Sequence, residues 1–88
     1  MWTRRIYHEL ERKARYRPKA VLWNLEDKIL IETDDENIAI YIATVLGAGY
    51  REQWGKRFRY VIELKKSENE VANELRLLRA MLAIRDVI

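Results

Sequence analysis

The chain has 88 residues and no cysteine. That excludes a disulfide framework, a thiolate zinc site and a thiol nucleophile, and it leaves the redox compartment unreadable. Histidine occurs once, at His8, serine once, at Ser67, and proline once, at Pro18. A lone histidine with no serine beside it offers no nucleophile–base pair, and Ser67 reads as a helix cap. Glycine is also scarce. Gly47-Ala48-Gly49 follows a helical pattern rather than preceding one, and it lacks the lysine and Ser/Thr of a phosphate-binding loop. No apolar run reaches membrane-spanning length, and the N-terminus lacks the apolar core of a signal peptide, so a cytoplasmic location is the expectation. The acids Glu32, Asp34, Asp35 and Glu36 lack the spacing and the glycine of a calcium loop. No metal, no cofactor and no catalysis are therefore expected. Repeats, linkers and low-complexity segments are missing too.

What remains is 49% hydrophobic and 35% charged, the balance of a globular chain. One domain over residues 1–88 is expected, burying roughly 60–65% of its unfolded surface. The net charge of +3 is unevenly spread: residues 1–19 carry +5, residues 20–48 carry −5, residues 49–66 carry +4 and the remainder −1. If the two basic segments share a face, that face attracts polyanions.

The stretch from Tyr50 to Lys66 carries the clearest strand signal. From Arg57 to Lys65 the side chains alternate. Phe58, Tyr60, Ile62 and Leu64 fall on one face; Arg57, Arg59, Glu63 and Lys65 fall on the other, with Val61 among them. A two-residue turn at Gly55-Lys56 would oppose Trp54 to Arg57, Glu52 to Arg59 and Tyr50 to Val61. The outward face then shows Tyr50, Trp54, Arg57, Arg59 and Lys65, with Glu52 and Glu63 among them; the two aromatic rings can stack on bases while the guanidiniums hold phosphate. The same pairs also serve as ordinary cross-strand stabilisers, through a Trp54–Arg57 cation–π contact and a Glu52–Arg59 ion pair.

Taken in order, residues 2–16 read as a helix. Trp2, Ile6, Leu10 and Ala14 line one side, while Arg4, Arg5, Arg12 and Arg15 lie mostly elsewhere. Arg17-Pro18 ends it. A first hairpin follows, Lys19–Asn24 and Lys28–Thr33, turning near Leu25-Glu26-Asp27. One of its faces carries Ala20, Leu22, Ile29 and Ile31; the other carries Val21, Trp23 and Leu30. Apolar groups on both faces call for two covers, the second being either the first helix or a partner subunit. Thr33 with Glu36 forms a capping box for a mostly apolar helix ending at Leu46, with Gly47 as its left-handed cap. Ser67 with Glu70 opens a last helix running to about Arg85. Its stripe Val71, Leu75, Leu78 and Leu82 should meet the sheet. A second stripe, Leu77, Met81, Ile84 and Ile88, would suit an interface between two copies.

The expected fold is α+β: two antiparallel hairpins in a four-stranded sheet with helices packed on it, in the order α-β-β-α-β-β-α. The alternative is a ferredoxin-like sheet closed by a strand over Leu82–Ile88. The first order resembles that of a LAGLIDADG homing-endonuclease half-domain. Trp2–Arg17 holds no match to that family's signature helix, and element order does not carry function, so no family follows. The leading functional expectation is a small nucleic-acid-binding module using Tyr50, Arg51, Trp54, Lys56, Arg57 and Arg59 with Arg4, Arg5 and Arg12. A structural or interaction protein, homodimeric through the last helix, is the second. An engineered chain without natural activity is the third, since two capping boxes and short turns agree with design practice. High charge without cysteine also fits a thermostable protein.

Overall fold

Two β-α-β crossovers organise the chain around a five-stranded sheet. The computed structural model describes residues 18–87. The elements are β1 (Ala20–Leu25), β2 (Lys28–Thr33), α1 (Glu36–Leu46), β3 (Arg51–Glu52), β4 (Tyr60–Leu64), a 3-10 turn (Glu68–Val71), α2 (Ala72–Met81) and β5 (Ile84–Asp86). The strand order is β3-β4-β2-β1-β5. All neighbours are antiparallel except β1 and β5, which run parallel. The expected N-terminal helix lies outside the described residues, as does Ile88.

The first hairpin forms as its alternation requires. Val21 pairs with Glu32, Leu22 with Ile31 and Trp23 with Leu30. This places Ala20, Leu22, Ile29 and Ile31 on one face. Continuing the ladder, Ile31 opposes Ile62 and Ile29 opposes Leu64, which joins β4 to that face. Both helices pack there, and Ile42, Leu75 and Leu78 meet Leu22, Ile31 and Ile62 in one core. Each such side chain contributes about 1.5–3 kcal/mol through removal from water. The turn is tighter than the sequence suggests: Leu25 pairs with Lys28, leaving two residues, and Glu26 takes a positive φ of 49°.

Helix α1 is capped by Asp35 rather than Thr33. The Asp35 carboxylate accepts from the backbone of Asn37 at 2.8 Å and of Ile38 at 3.3 Å. Thr33 is fully buried instead. Its hydroxyl donates to the Lys19 carbonyl at 2.7 Å and accepts from the Asp35 N–H at 3.2 Å. Gly47 closes the helix at φ 66°, as expected of a left-handed cap. The helix is less enclosed than its composition implies, because Ile40 and Tyr41 face out while Ala39, Ile42, Ala43 and Leu46 face the core.

The last helix departs most from expectation. It stops at Met81, and Ile84–Asp86 become a fifth strand beside β1. The expected sheet of two hairpins and four strands is thus corrected to five strands. The closing strand of the alternative is present at Ile84–Asp86, but it runs parallel to β1 as a fifth strand rather than closing a four-stranded sheet. The reason is hydrogen bonding. Without β5, the free edge of β1 would leave backbone groups of a buried strand unpaired. Lys19 N–H reaches the Ala83 carbonyl at 2.9 Å, and Val87 N–H reaches that of Leu22 at 2.8 Å. Arg79 reinforces the return, bonding Glu68 at 3.2 Å and Asp86 at 3.0 Å. Burial works against the charge of Arg79, but those two carboxylates outweigh it and raise its pKa. The Ser67–Glu70 box is present, with Glu70 accepting from the Ser67 N–H at 2.8 Å.

Candidate nucleic-acid interface

The strand pair β3–β4 pairs Arg51 with Val61 and Glu52 with Tyr60. This is one residue out of step with a two-residue turn at Gly55-Lys56. Residues 53–59 form an open loop instead, although Gly55 does adopt a positive φ of 71°. Gln53 explains the change. Its N–H donates to the Arg59 carbonyl at 2.8 Å and its side-chain amide to the Phe58 carbonyl at 2.9 Å, so a side chain replaces part of the ladder. The same amide donates to Glu32, whose other oxygen accepts from Trp23 Nε1 at 2.7 Å. Across the loop, Arg59 N–H is held by Asp34 at 3.0 Å.

The register shift redistributes the predicted residues. Tyr60, Ile62 and Leu64 point into the core as expected. Phe58 is buried but does not join them. It lines a cleft with Val21, Trp23 and Glu32, side chains on the face of the sheet opposite α1 and α2. Val61 is buried on that face as well. Arg51, Lys56 and Arg57 border a neighbouring cleft above Trp23, Leu30 and Glu63. Arg57 lies over the Phe58 ring at 5.8 Å rather than against Trp54.

Arg59 occupies the opposite rim. Its guanidinium lies 5.9 Å from the centre of the Trp54 ring and 5.6 Å from that of Tyr60, and it reaches Glu52 at 3.5 Å. The Glu52–Arg59 ion pair therefore forms even though the two are not directly opposed. Trp54 stands at the loop with 77% of its surface exposed. Tyr50 packs edge-on to Tyr60 at 5.9 Å and is partly exposed. Tyr60 donates to Glu36 at 3.0 Å; its burial first, and that hydrogen bond second, push the phenol pKa above its usual value.

The loop thus gathers Tyr50, Arg51, Trp54, Lys56, Arg57 and Arg59 on one edge of the sheet, but around a rim rather than on a single flat face. Arg4, Arg5 and Arg12 lie outside the described residues. Sequence reasoning missed Gln53, Glu32, Trp23 and Asp34, which fix the loop. Only a glutamine between two strand patterns hints at them. Of the predicted interface stripe, Leu77 and Met81 are exposed on α2, whereas Ile84 sits in β5 and packs against the core, so the three do not form one helical row. Among the described residues, no group of three His, Asp or Glu is placed to hold a metal ion, and no helix is long and apolar enough to cross a membrane. No protein-family model, curated protein or solved structure matches the chain.

Proposed function

We propose that the protein is a small nucleic-acid-binding module, without a catalytic step, whose docking element is the 50–59 hairpin edge. One observation carries the reading: an indole exposed at Trp54, on a pinned loop, with the Arg59 guanidinium 5.9 Å from its ring centre and Arg51, Lys56 and Arg57 on the other rim of the same hairpin edge. An exposed aromatic ring supplies a stacking platform for an unpaired base, and the flanking cations supply sequence-independent attraction to phosphate. Single strands suit this edge better than duplex, because stacking on Trp54 requires an unstacked base.

Fluorescence anisotropy with a labelled single-stranded oligonucleotide tests the proposal. Four phosphate contacts give a slope of log K against log salt of about −2.8, and Arg57→Ala with Arg59→Ala should reduce its magnitude by about 1.4. Trp54→Ala should weaken binding by about 1–3 kcal/mol. Undetectable binding at low salt, or an unchanged slope in the double variant, would overturn the reading.

A second reading rests on Leu77 and Met81, apolar side chains 48% and 61% exposed on α2. It makes the protein a homodimer through that helix. Sedimentation velocity decides it: wild type should be dimeric and Met81→Glu monomeric, whereas a monomeric wild type removes the reading.

A further inference from the structure

The cleft bordered by Arg51 and Lys56, on the face of the sheet opposite α1 and α2, has a volume of about 430 Å³, within the usual range of small-ligand sites. Its floor is apolar and is built by Trp23, Leu30 and Val61. Trp23 pairs with Leu30, and Leu30 opposes Glu63, two residues beyond Val61 on β4. The indole is fixed in place by its 2.7 Å bond to Glu32. Arg51 and Lys56 stand exposed at the rim, and Glu63 is half-buried beside the floor. Arg51 opposes Val61, which sets it one diagonal step from Glu63 on the same face. The two nevertheless form no ion pair. Among the described residues, the side chains of Arg51, Lys56 and Glu63 have no hydrogen-bonding or ionic partner. Two cations and one carboxylate thus border an apolar hollow without neutralising one another.

We propose that this cleft takes a guanine base of the bound single strand, read by the Glu63 carboxylate, with Arg51 and Lys56 on the flanking phosphates. The inference rests on the nucleic-acid reading above and names the base that the site selects. An ionised carboxylate only accepts hydrogen bonds, and its two oxygens suit a pair of adjacent donors. Guanine alone among the common bases has two neighbouring donors on its pairing edge, N1–H and the N2 amino group. Adenine and cytosine place a ring-nitrogen acceptor beside their amino group, which repels a carboxylate. Thymine and uracil place a carbonyl on each side of N3–H. The pairing edge is reachable only in an unpaired strand, where a base can be splayed out against apolar and aromatic side chains such as Leu30 and Trp23. Glu63 also turns phosphate away from the floor, which leaves the rim cations as its place of contact. Trp54 stands on the other rim of the same loop, where it stacks on a nearby base of any kind. Attraction and selection are therefore carried by different residues.

Anisotropy with two labelled single strands separates this inference from the reading it rests on. A plain thymine tract reports sequence-independent binding, and the same tract with one central guanine reports the cleft. The guanine probe should bind about 10-fold tighter, inside the range of about 5- to 150-fold for a bidentate base contact. Hypoxanthine at that position lacks only the N2 amino group and should lose most of the gain. Glu63→Gln should abolish the preference for guanine. It should also tighten the plain tract slightly, because a negative charge leaves a phosphate-binding surface. Thermal unfolding by circular dichroism checks that the variant is folded. Equal affinity for the two probes, a gain kept by hypoxanthine, or a guanine preference that survives in folded Glu63→Gln overturns the inference and leaves the nucleic-acid reading standing. Failure of both probes to bind at low salt overturns the two together.

Discussion

Replacing the Thr33 hydroxyl by a methyl group isolates one buried junction. Thr33→Val keeps the shape and removes only the polar atom. That atom donates to the Lys19 carbonyl and accepts from the Asp35 N–H, so it ties the chain entering β1 to the cap of α1. Each hydrogen bond contributes about 1 kcal/mol net, and a buried carbonyl left without a donor costs about 1–3 kcal/mol. Lys19 and Asp35 are themselves exposed, so water recovers part of the loss. The expected destabilisation is about 2 kcal/mol, a large share of the about 4–13 kcal/mol expected for a chain this size. At about 4–8 °C per kcal/mol, Tm should fall by about 8–16 °C. Urea and thermal unfolding followed by circular dichroism measure it, with an unchanged urea slope confirming that compactness is retained. Thr33→Ser is the control. It keeps both hydrogen bonds and loses one methyl, worth about 0.8 kcal/mol. The stability order should be wild type, Ser, Val. If valine outlasts serine, the methyl rather than the hydroxyl matters, and the junction as described is refuted.

Two further predictions concern the site. Tyr60 should ionise above its usual value, because burial and the bond to Glu36 favour the protonated phenol. Its stabilisation is complete below the unfolded pKa of about 10 and is lost as pH rises through the folded value. A tyrosine absorbance titration of wild type minus Tyr60→Phe isolates it, and a difference curve centred at the ordinary value would contradict the structure. Gln53→Ala should free the loop by removing the amide shared between Phe58 and Glu32, costing about 1–2 kcal/mol. Oligonucleotide affinity should fall with it although no charge is lost; unchanged loop protection in hydrogen exchange would show that the pin is unimportant.

Much of the architecture is legible because period-two and period-3.6 patterns dictate which side of an element is buried. Ala20, Leu22, Ile29 and Ile31 have one consistent reading, as do Val71, Leu75 and Leu78, and both sets lie in the core. Gly47 and Gly55 announce positive φ for the same reason, since few other residues adopt it. What escapes the sequence is non-local. The apolar pattern of Leu77–Ile84 suits a helix as well as a strand. Only the vacant edge of β1, distant in sequence, decides for the strand after Met81. Likewise, Gly55-Lys56 is a fair two-residue turn until Gln53 finds Glu32 and Phe58. Thr33 looks like a cap because its sequence neighbours fit, and the Lys19 carbonyl that claims its hydroxyl lies fourteen positions away. The hairpin's basic and aromatic residues are identifiable; their division between two rims is not, because one step of register moves the side chains of β3 to the other face while those of β4 stay in place.

The parallel pairing of β1 with β5 has a consequence for synthesis. β1 emerges early, yet its outer neighbour is the last described element, brought back only after α2 has formed. Until then, a strand interior to the finished sheet has a naked border, open to any other extended chain. The interval between translating these two strands is when the protein is most prone to stick to copies of itself. A chaperone that shields Ala20–Leu25 on nascent chains would therefore raise yield more than one acting after release.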